Sequence, residues 1–414
     1  MNTSKNIKER CHVNTNEDGD RFVGIKADTD DAIVYFPLGY QLPETEVDIR
    51  RDIKQLFNVL GEYTEKKDRV LQMNKFEIAQ SVNFPINAYL EVINYYFDKE
   101  YYTETESIFK TAPRGNVDWS KTFKKQKPLV QQNGSFVYTQ MTVKAATPND
   151  NKIITRIHKY CVYECFEKIG WLYVPNMPEK PDIEFNKQQF LVVLNDKMSV
   201  TNNDNHKRLF KAMIDMIKFI DERPNEKQFY FGTDTFEYVW EKLIDKVFGI
   251  PNKQDYFPKT KWKMRYGHDR NKEKYPLEPD SIMIYDDKYY VLDAKFYKYG
   301  ATGIPSHLPD SSSINKQITY GEYIHRDKKI PNERLFNAFI MPFNGASNKF
   351  NISGPFGNIG EATGDWRDGS KLNYERIQGI VVDVRYLMSN RFGKPVTSVK
   401  QLAAAIEEGL ENPI

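Results

Sequence analysis

Three residues in this chain have the types and spacing for phosphate chemistry: Asp280, Asp293 and Lys295. Asp280 opens the segment SIMIY, and Asp293-Ala294-Lys295 closes the segment KYYVLDAK. Asp286-Asp287 lies between the two and reads as a hairpin turn, which would bring Asp280 alongside Asp293. Side chains alternate along a strand, so Asp293 and Lys295 share a face while Ala294 points away. Two carboxylates and an ammonium then converge. Carboxylate oxygens suit Mg²⁺, which keeps several waters and takes one or two protein carboxylates. Such a cation polarises a phosphate and activates water, and a lysine orients that water and offsets developing charge. The chemistry predicted is phosphodiester hydrolysis.

Pro279-Asp280 followed by Asp293-Ala294-Lys295 matches the motif of the PD-(D/E)xK nucleases. The flanks FGTDTFEYVWEKL, LEPDSIMIY, YYVLDAKFY and NKQITYGEY, with PRGNVDW upstream, resemble the LlaJI-type restriction endonucleases, and more distantly the McrC nuclease subunit of McrBC. The likeness spans roughly residues 110–390. It implies Mg²⁺-dependent cleavage of double-stranded foreign or unmodified DNA. It implies catalytic roles for Asp280, Asp293, Lys295, Glu237 and Gln317, with Asp280, Asp293 and Glu237 on the metal. Glu241, one turn beyond Glu237, is the alternative helical carboxylate, since i and i+4 share a face. Gln317 and Tyr320 resemble the glutamine-tyrosine helix of such nucleases, although packing is the favoured reading for Tyr320. The likeness also implies an AAA+ GTPase subunit and a cognate DNA methyltransferase. The chain itself has no G-x-x-x-x-G-K-[ST] nucleotide loop.

Lys259, Lys261, Lys263 and Arg265 alternate with Trp262, Met264 and Tyr266. On a strand over 259–266 this gives a basic face, and Lys261, Lys263 and Arg265 are the predicted DNA contacts. A merely solvated face competes with that reading. The same holds for Arg114, Lys121, Lys124, Lys125 and Lys127, where solvation is favoured. His158, Cys161 and Cys165 follow helical spacing. No fourth zinc ligand is signalled, so they read as core. Gly354, Gly357 and Gly360 read as a loop. His268 and His307 are assigned no role.

These residues need elements to hold them. Apolar spacing predicts helices over 47–63, 84–98, 151–170, 205–220, 233–248, 312–325 and 397–408. Strands are expected at 135–144, 280–286, 288–296, 335–343 and 378–385, with short β-like runs in 21–40. DERPNEKQ (221–228) is the expected linker. The fold class is α/β: a C-terminal PD-(D/E)xK restriction-endonuclease-like mixed sheet flanked by helices, preceded by an α+β N-terminal region. Three consecutive segments follow: 1–110, an α+β region and a candidate for partner or DNA binding; a middle α+β region, 111–224; and the nuclease domain, 225–414.

Composition bounds the rest. At 414 residues, 40% apolar and 14% aromatic, the chain can build real cores. Its 59 Lys and Arg nearly balance 57 Asp and Glu, so any basic surface is local. Three cysteines fit a reducing compartment rather than a disulfide scaffold. The start lacks a signal-peptide pattern, and no run of about 18 apolar residues exists, so a cytosolic protein without membrane contact is expected. Two other functions compete: a stand-alone structure-specific repair or resolvase nuclease, and an inactive nuclease-fold DNA-binding subunit. A neighbouring GTPase or methyltransferase gene discriminates against the first. The intact trio speaks against the second.

Overall fold

The computed structural model describes residues 6–27, 31–65, 82–173, 177–222, 229–260, 265–266, 276–345, 349–367, 369–391 and 396–411. It forms two compact units. One joins Met1–Asn83 to Lys227–Ile414, and the other is Phe84–Glu226. The three consecutive segments expected from sequence are therefore replaced by a discontinuous unit carrying an insertion.

The first unit begins with β1 (Cys11–Val13), β2 (Val23–Ala27), β3 (Ala32–Phe36), α1 (Glu46–Glu65) and β4 (Val82–Asn83). The insertion follows. It holds α2 (Ile86–Lys99), β5 (Glu104–Ala112), β6 (Asn116–Val117), α3 (Trp119–Lys125), β7 (Leu129–Val130), β8 (Phe136–Val137), β9 (Met141–Asn149), α4 (Ile153–Ile169), α5 (Lys187–Val200) and α6 (Asp204–Glu222). The strand expected over 135–144 is thus two strands, interrupted at 138–140. β5, β9 and β6 form a three-stranded sheet whose β5 residues are almost all exposed. That exposure explains why β5 lacks an apolar pattern to find. α5 was hidden for another reason: its apolar run FLVVL has no helical period, and only Phe190 and Leu194 are buried.

His158, Cys161 and Cys165 lie buried on α4, in keeping with a packing role. His158 Nδ1 accepts the Tyr102 N–H at 2.9 Å, and burial pushes its pKa down to about 3. Burial raises both thiols, which leaves them as small apolar side chains.

The chain then returns to the first unit. β10 (Phe229–Thr233) pairs antiparallel with β2 and parallel with β4, completing a sheet of order β1-β3-β2-β10-β4. Gly24 and Gly232 are directly paired there, and a Cβ on either would lie 2.1 Å from the opposing backbone. Only glycine fits this crossing. Arg385 also donates to the buried Asp52 of α1 at 2.6 Å. Pairings across some 200 to 330 residues join the N-terminal segment to the C-terminal one.

The second sheet of this unit holds the candidate site. After α7 (Phe236–Phe248) come β11 (Ser281–Tyr285), β12 (Lys288–Ala294), α8 (Tyr299–Thr302), α9 (Ser311–Asp327), β13 (Leu335–Phe343), β14 (Phe356–Ala362), β15 (Ile377–Asp383), α10 (Val384–Ser389) and α11 (Val396–Glu411). The sheet order is β11-β12-β13-β15-β14. β12, β13 and β15 run parallel, while β11 and β14 are antiparallel edges. The central β13 is buried along its whole length, as its unbroken apolar run requires. Helix α9 seats Ile324 and Tyr320 against Ile282, Val291 and Leu335. Each fully buried aliphatic there stabilises the fold by roughly 1.5–3 kcal/mol. This is a mixed α/β architecture.

Two expectations need correction. Gly357 and Gly360 are not in a loop but in β14, where a bulge between Asn358 and Gly360 takes up the positive φ of Gly360. The described ends of the expected strand 259–266 are irregular, and 261–264 lie outside the described residues, as do 223–228 of the expected linker. Among the described residues no helix is long and apolar enough to cross a membrane.

Candidate active site

The β11–β12 hairpin closes through Asp286 and Asp287, with φ of 49° and 60°. Two left-handed residues in a two-residue loop match the right-handed twist of the strands they join. The turn fixes the register: Tyr285 faces Lys288 and Ser281 faces Leu292. One step further, Asp280 lies across from Asp293.

The carboxylates meet there. Asp280 Oδ2 accepts the Ala294 N–H at 2.8 Å, and the Asp293 carboxylate acts on it at close range. Asp293 is 3% exposed, and its Oδ2 pairs with Lys295 Nζ at 2.7 Å. The Lys295 N–H donates to the Ile340 carbonyl at 2.8 Å, carrying the parallel ladder one residue past β12. Asp280, Asp293 and Lys295 are thus brought together at the end of two strands.

Helix α9 holds both strands from one face. Gln317, 1% exposed, donates through Nε2 to the Val291 carbonyl at 2.7 Å. Tyr320 donates to the Glu278 carbonyl at 3.0 Å. Each grip falls two residues before an aspartate. The helix approaches this closely because Gly321 lies against Tyr374 and Asn337, where a Cβ would sit 2.5 Å and 2.8 Å from them. Tyr320 therefore both packs and bonds.

Helix α7 lies over the sheet through Trp240, whose indole N–H donates to the Ile340 carbonyl at 3.1 Å. Its two carboxylates differ in surroundings. Glu237 is exposed and feels Arg21 and Asp234. Glu241 is half-buried and feels Asp293 and Lys295, and Asp280 in turn feels Glu241. The structure brings Glu241, not Glu237, into the field of the aspartates. Lys261 and Lys263 lie outside the described residues, while Arg265 is exposed in an irregular segment.

A model of the LlaJI restriction endonuclease family matches residues 22–359, most of the chain. The chain belongs to this family. Direct comparison with the sequences of curated proteins returns no match. Two solved assemblies from Thermococcus gammatolerans are distantly similar. One is a half-complex from a tetradecameric assembly of McrB AAA+ hexamers with bound McrC, at 15% identity and a TM-score of 0.36, covering 92% of this chain and 83% of that one. The other is the McrBC complex, at 16% identity and a TM-score of 0.24, covering 55% and 65%.

The electrostatics of this family member's site follow from burial. Asp280 is pushed up to about 8, first by burial, then by the charges of Asp293 and Glu241, against the stabilising Ala294 N–H. Burial raises Glu241 as well, helped by Asp293. Burial opposes the Lys295 ammonium, but the charge and hydrogen bond of Asp293 outweigh it and the net shift is upward. Excess negative charge is therefore compressed into a small volume. Among the described residues no three His, Cys, Asp or Glu side chains form a ready-made metal cage. A close carboxylate pair is nevertheless the donor set that suits Mg²⁺, which supplies the rest of its shell from water and substrate.

A pH dependence follows. Folded Asp280 keeps its proton to about pH 8, whereas an ordinary aspartate releases it near 3.8. Between those values the folded state binds more protons, so this group's contribution to stability is lost as pH rises. In EDTA, the melting temperature of Asp280→Asn minus that of the wild type is expected to grow from pH 5 to pH 8.5. Thermal melts across that range check it, and a flat difference contradicts the raised Asp280.

Proposed function

We propose that this chain is the cutting subunit of a restriction system: a Mg²⁺-dependent PD-(D/E)xK endonuclease hydrolysing double-stranded DNA. The observation that carries the reading is the convergence of Asp280, Asp293 and Lys295 at the end of one hairpin, in a chain of a restriction endonuclease family. Asp280 and Asp293 would hold Mg²⁺, with Glu241 reaching it through a bound water. A bound Mg²⁺ supplies charge neutralisation at the scissile phosphate and activation of water. Lys295, fixed by Asp293, orients the attacking water and offsets charge on the phosphate oxygens. Gln317 and Tyr320 keep the two strands in register. Lys261, Lys263 and Arg265 are proposed phosphate contacts.

The reading includes an AAA+ GTPase partner, which the family resemblance implies. It also includes a cognate methyltransferase marking host DNA, and a cytoplasmic site of action. The test is linearisation of unmethylated plasmid with Mg²⁺ or EDTA, with and without the GTPase and GTP. Mg²⁺-dependent cutting that needs both partner and nucleotide is expected. Efficient, site-specific cutting by this chain alone favours a stand-alone nuclease instead.

The same assay separates the helical carboxylates. Because Glu241 shares the field of Asp280 and Asp293, Glu241→Gln is expected to slow single-turnover cleavage by about 10–100-fold, as loss of a group supporting a metal site does. Glu237→Gln should change it little. The reverse order would return the role to Glu237.

A further inference from the structure

Asp280 is held by its main chain as well as its carboxylate. Lys253 lies in a 3₁₀ turn, Lys253–Tyr256, just after α7. Its Nζ donates to the Asp280 carbonyl at 2.5 Å and pairs with Asp245 Oδ2 at 2.8 Å. Asp245 belongs to α7, one turn beyond Glu241. The intervening chain is stitched to the same strand, because the Ile250 N–H donates to the Ile282 carbonyl at 2.9 Å. The end of α7 also needs Gly249 against β11: a Cβ there would lie 2.3 Å from Asp245 Oδ1 and 2.8 Å from Ser281 Oγ.

The lysine ammonium is thus held by two partners at once. Its counter-ion sits on the helix that carries Glu241, and its acceptor is the backbone carbonyl of Asp280 itself. Fixing a carbonyl fixes the peptide plane and so constrains where the side chain of that residue points. A half-buried lysine used this way gives up much of its rotamer freedom, so the arrangement is costly unless the geometry it secures matters.

We infer that Lys253, anchored by Asp245, is a positioning residue that sets the Asp280 carboxylate relative to Asp293 and Glu241. The inference rests on the proposed role of Asp280 and Asp293 as the divalent-metal carboxylates. Outer-shell partners of metal-site ligands change metal affinity by about 10–100-fold when removed. Lys253→Met keeps the unbranched apolar stem of the side chain but removes the ammonium that makes the grip.

The test is Mn²⁺ and Mg²⁺ binding by calorimetry on the full-length protein, with melting temperature measured in parallel, for wild type, Lys253→Met and Asp280→Ala. If Lys253→Met does not fold, Lys253→Gln carries the same comparison. The expected result is an affinity about 10–100-fold weaker for the Lys253 variant, with binding abolished in Asp280→Ala. A purely structural lysine would lower the melting temperature and leave affinity unchanged. Wild-type affinity in the Lys253 variant, with binding lost in Asp280→Ala, overturns the inference and leaves the site reading standing. Wild-type affinity in Asp280→Ala overturns the site reading, and this inference with it.

Discussion

Asp293→Ala is expected to lower plasmid cleavage by about a thousandfold or more while the protein stays folded. The metal contributes several kcal/mol of charge stabilisation in such reactions, and about 1.4 kcal/mol corresponds to each factor of ten in rate. Asp293 is the most enclosed carboxylate of the site and the counter-charge of Lys295. On the proposed reading, its loss removes a metal donor and frees the lysine at once. Stability suffers less than an ordinary broken pair would suggest, because the same change relieves the Asp293 repulsion that adds to burial in raising Asp280. Asp280→Ala should lose activity to the same degree. Single-turnover linearisation measures the loss and circular dichroism checks the fold. Near-normal cutting by either variant would remove that residue from the site.

Lys295→Met should cost about 10²–10³-fold in rate, the size seen when one preorganised electrostatic donor is removed. Divalent affinity should hold or rise, because the ammonium occupies Asp293 Oδ2, an oxygen a cation would also use. That split between rate and affinity distinguishes a group acting on substrate from one that merely folds the pocket. Lys295→Arg should not rescue, since a planar guanidinium is not a point charge of the same reach. Titrating the metal in single-turnover reactions gives both quantities. A variant that loses affinity but keeps its saturating rate would make Lys295 a structural counter-ion.

The convergence of Asp280, Asp293 and Lys295 was readable from sequence because it is local. Asp286-Asp287 can take left-handed conformations, period-two alternation sets the register, and together these bring Asp280 opposite Asp293 with no knowledge of the remaining chain. β13 was readable as well, since a strand buried on both faces must be apolar throughout. The division into units was not. It depends on β10 pairing with β2, across some two hundred residues, and no local pattern encodes that partnership. Glu237 and Glu241 share a helix face, so spacing cannot separate them. Which turn lies over the aspartates is set by how α7 docks, through Trp240, onto β13. Lys253 left no signal at all, because it acts on a backbone carbonyl 27 residues away and any residue type could supply that oxygen. β14 was masked by its glycines, which read as a loop when the bulge that uses one of them is unknown.

The central claim is that Asp280 and Asp293 jointly hold a divalent cation. Anomalous diffraction from crystals of the protein grown with Mn²⁺ tests it most directly. An anomalous peak between the two carboxylates, absent in Asp293→Ala, is the result expected. Full Mn²⁺ occupancy elsewhere, with none between Asp280 and Asp293, would contradict it.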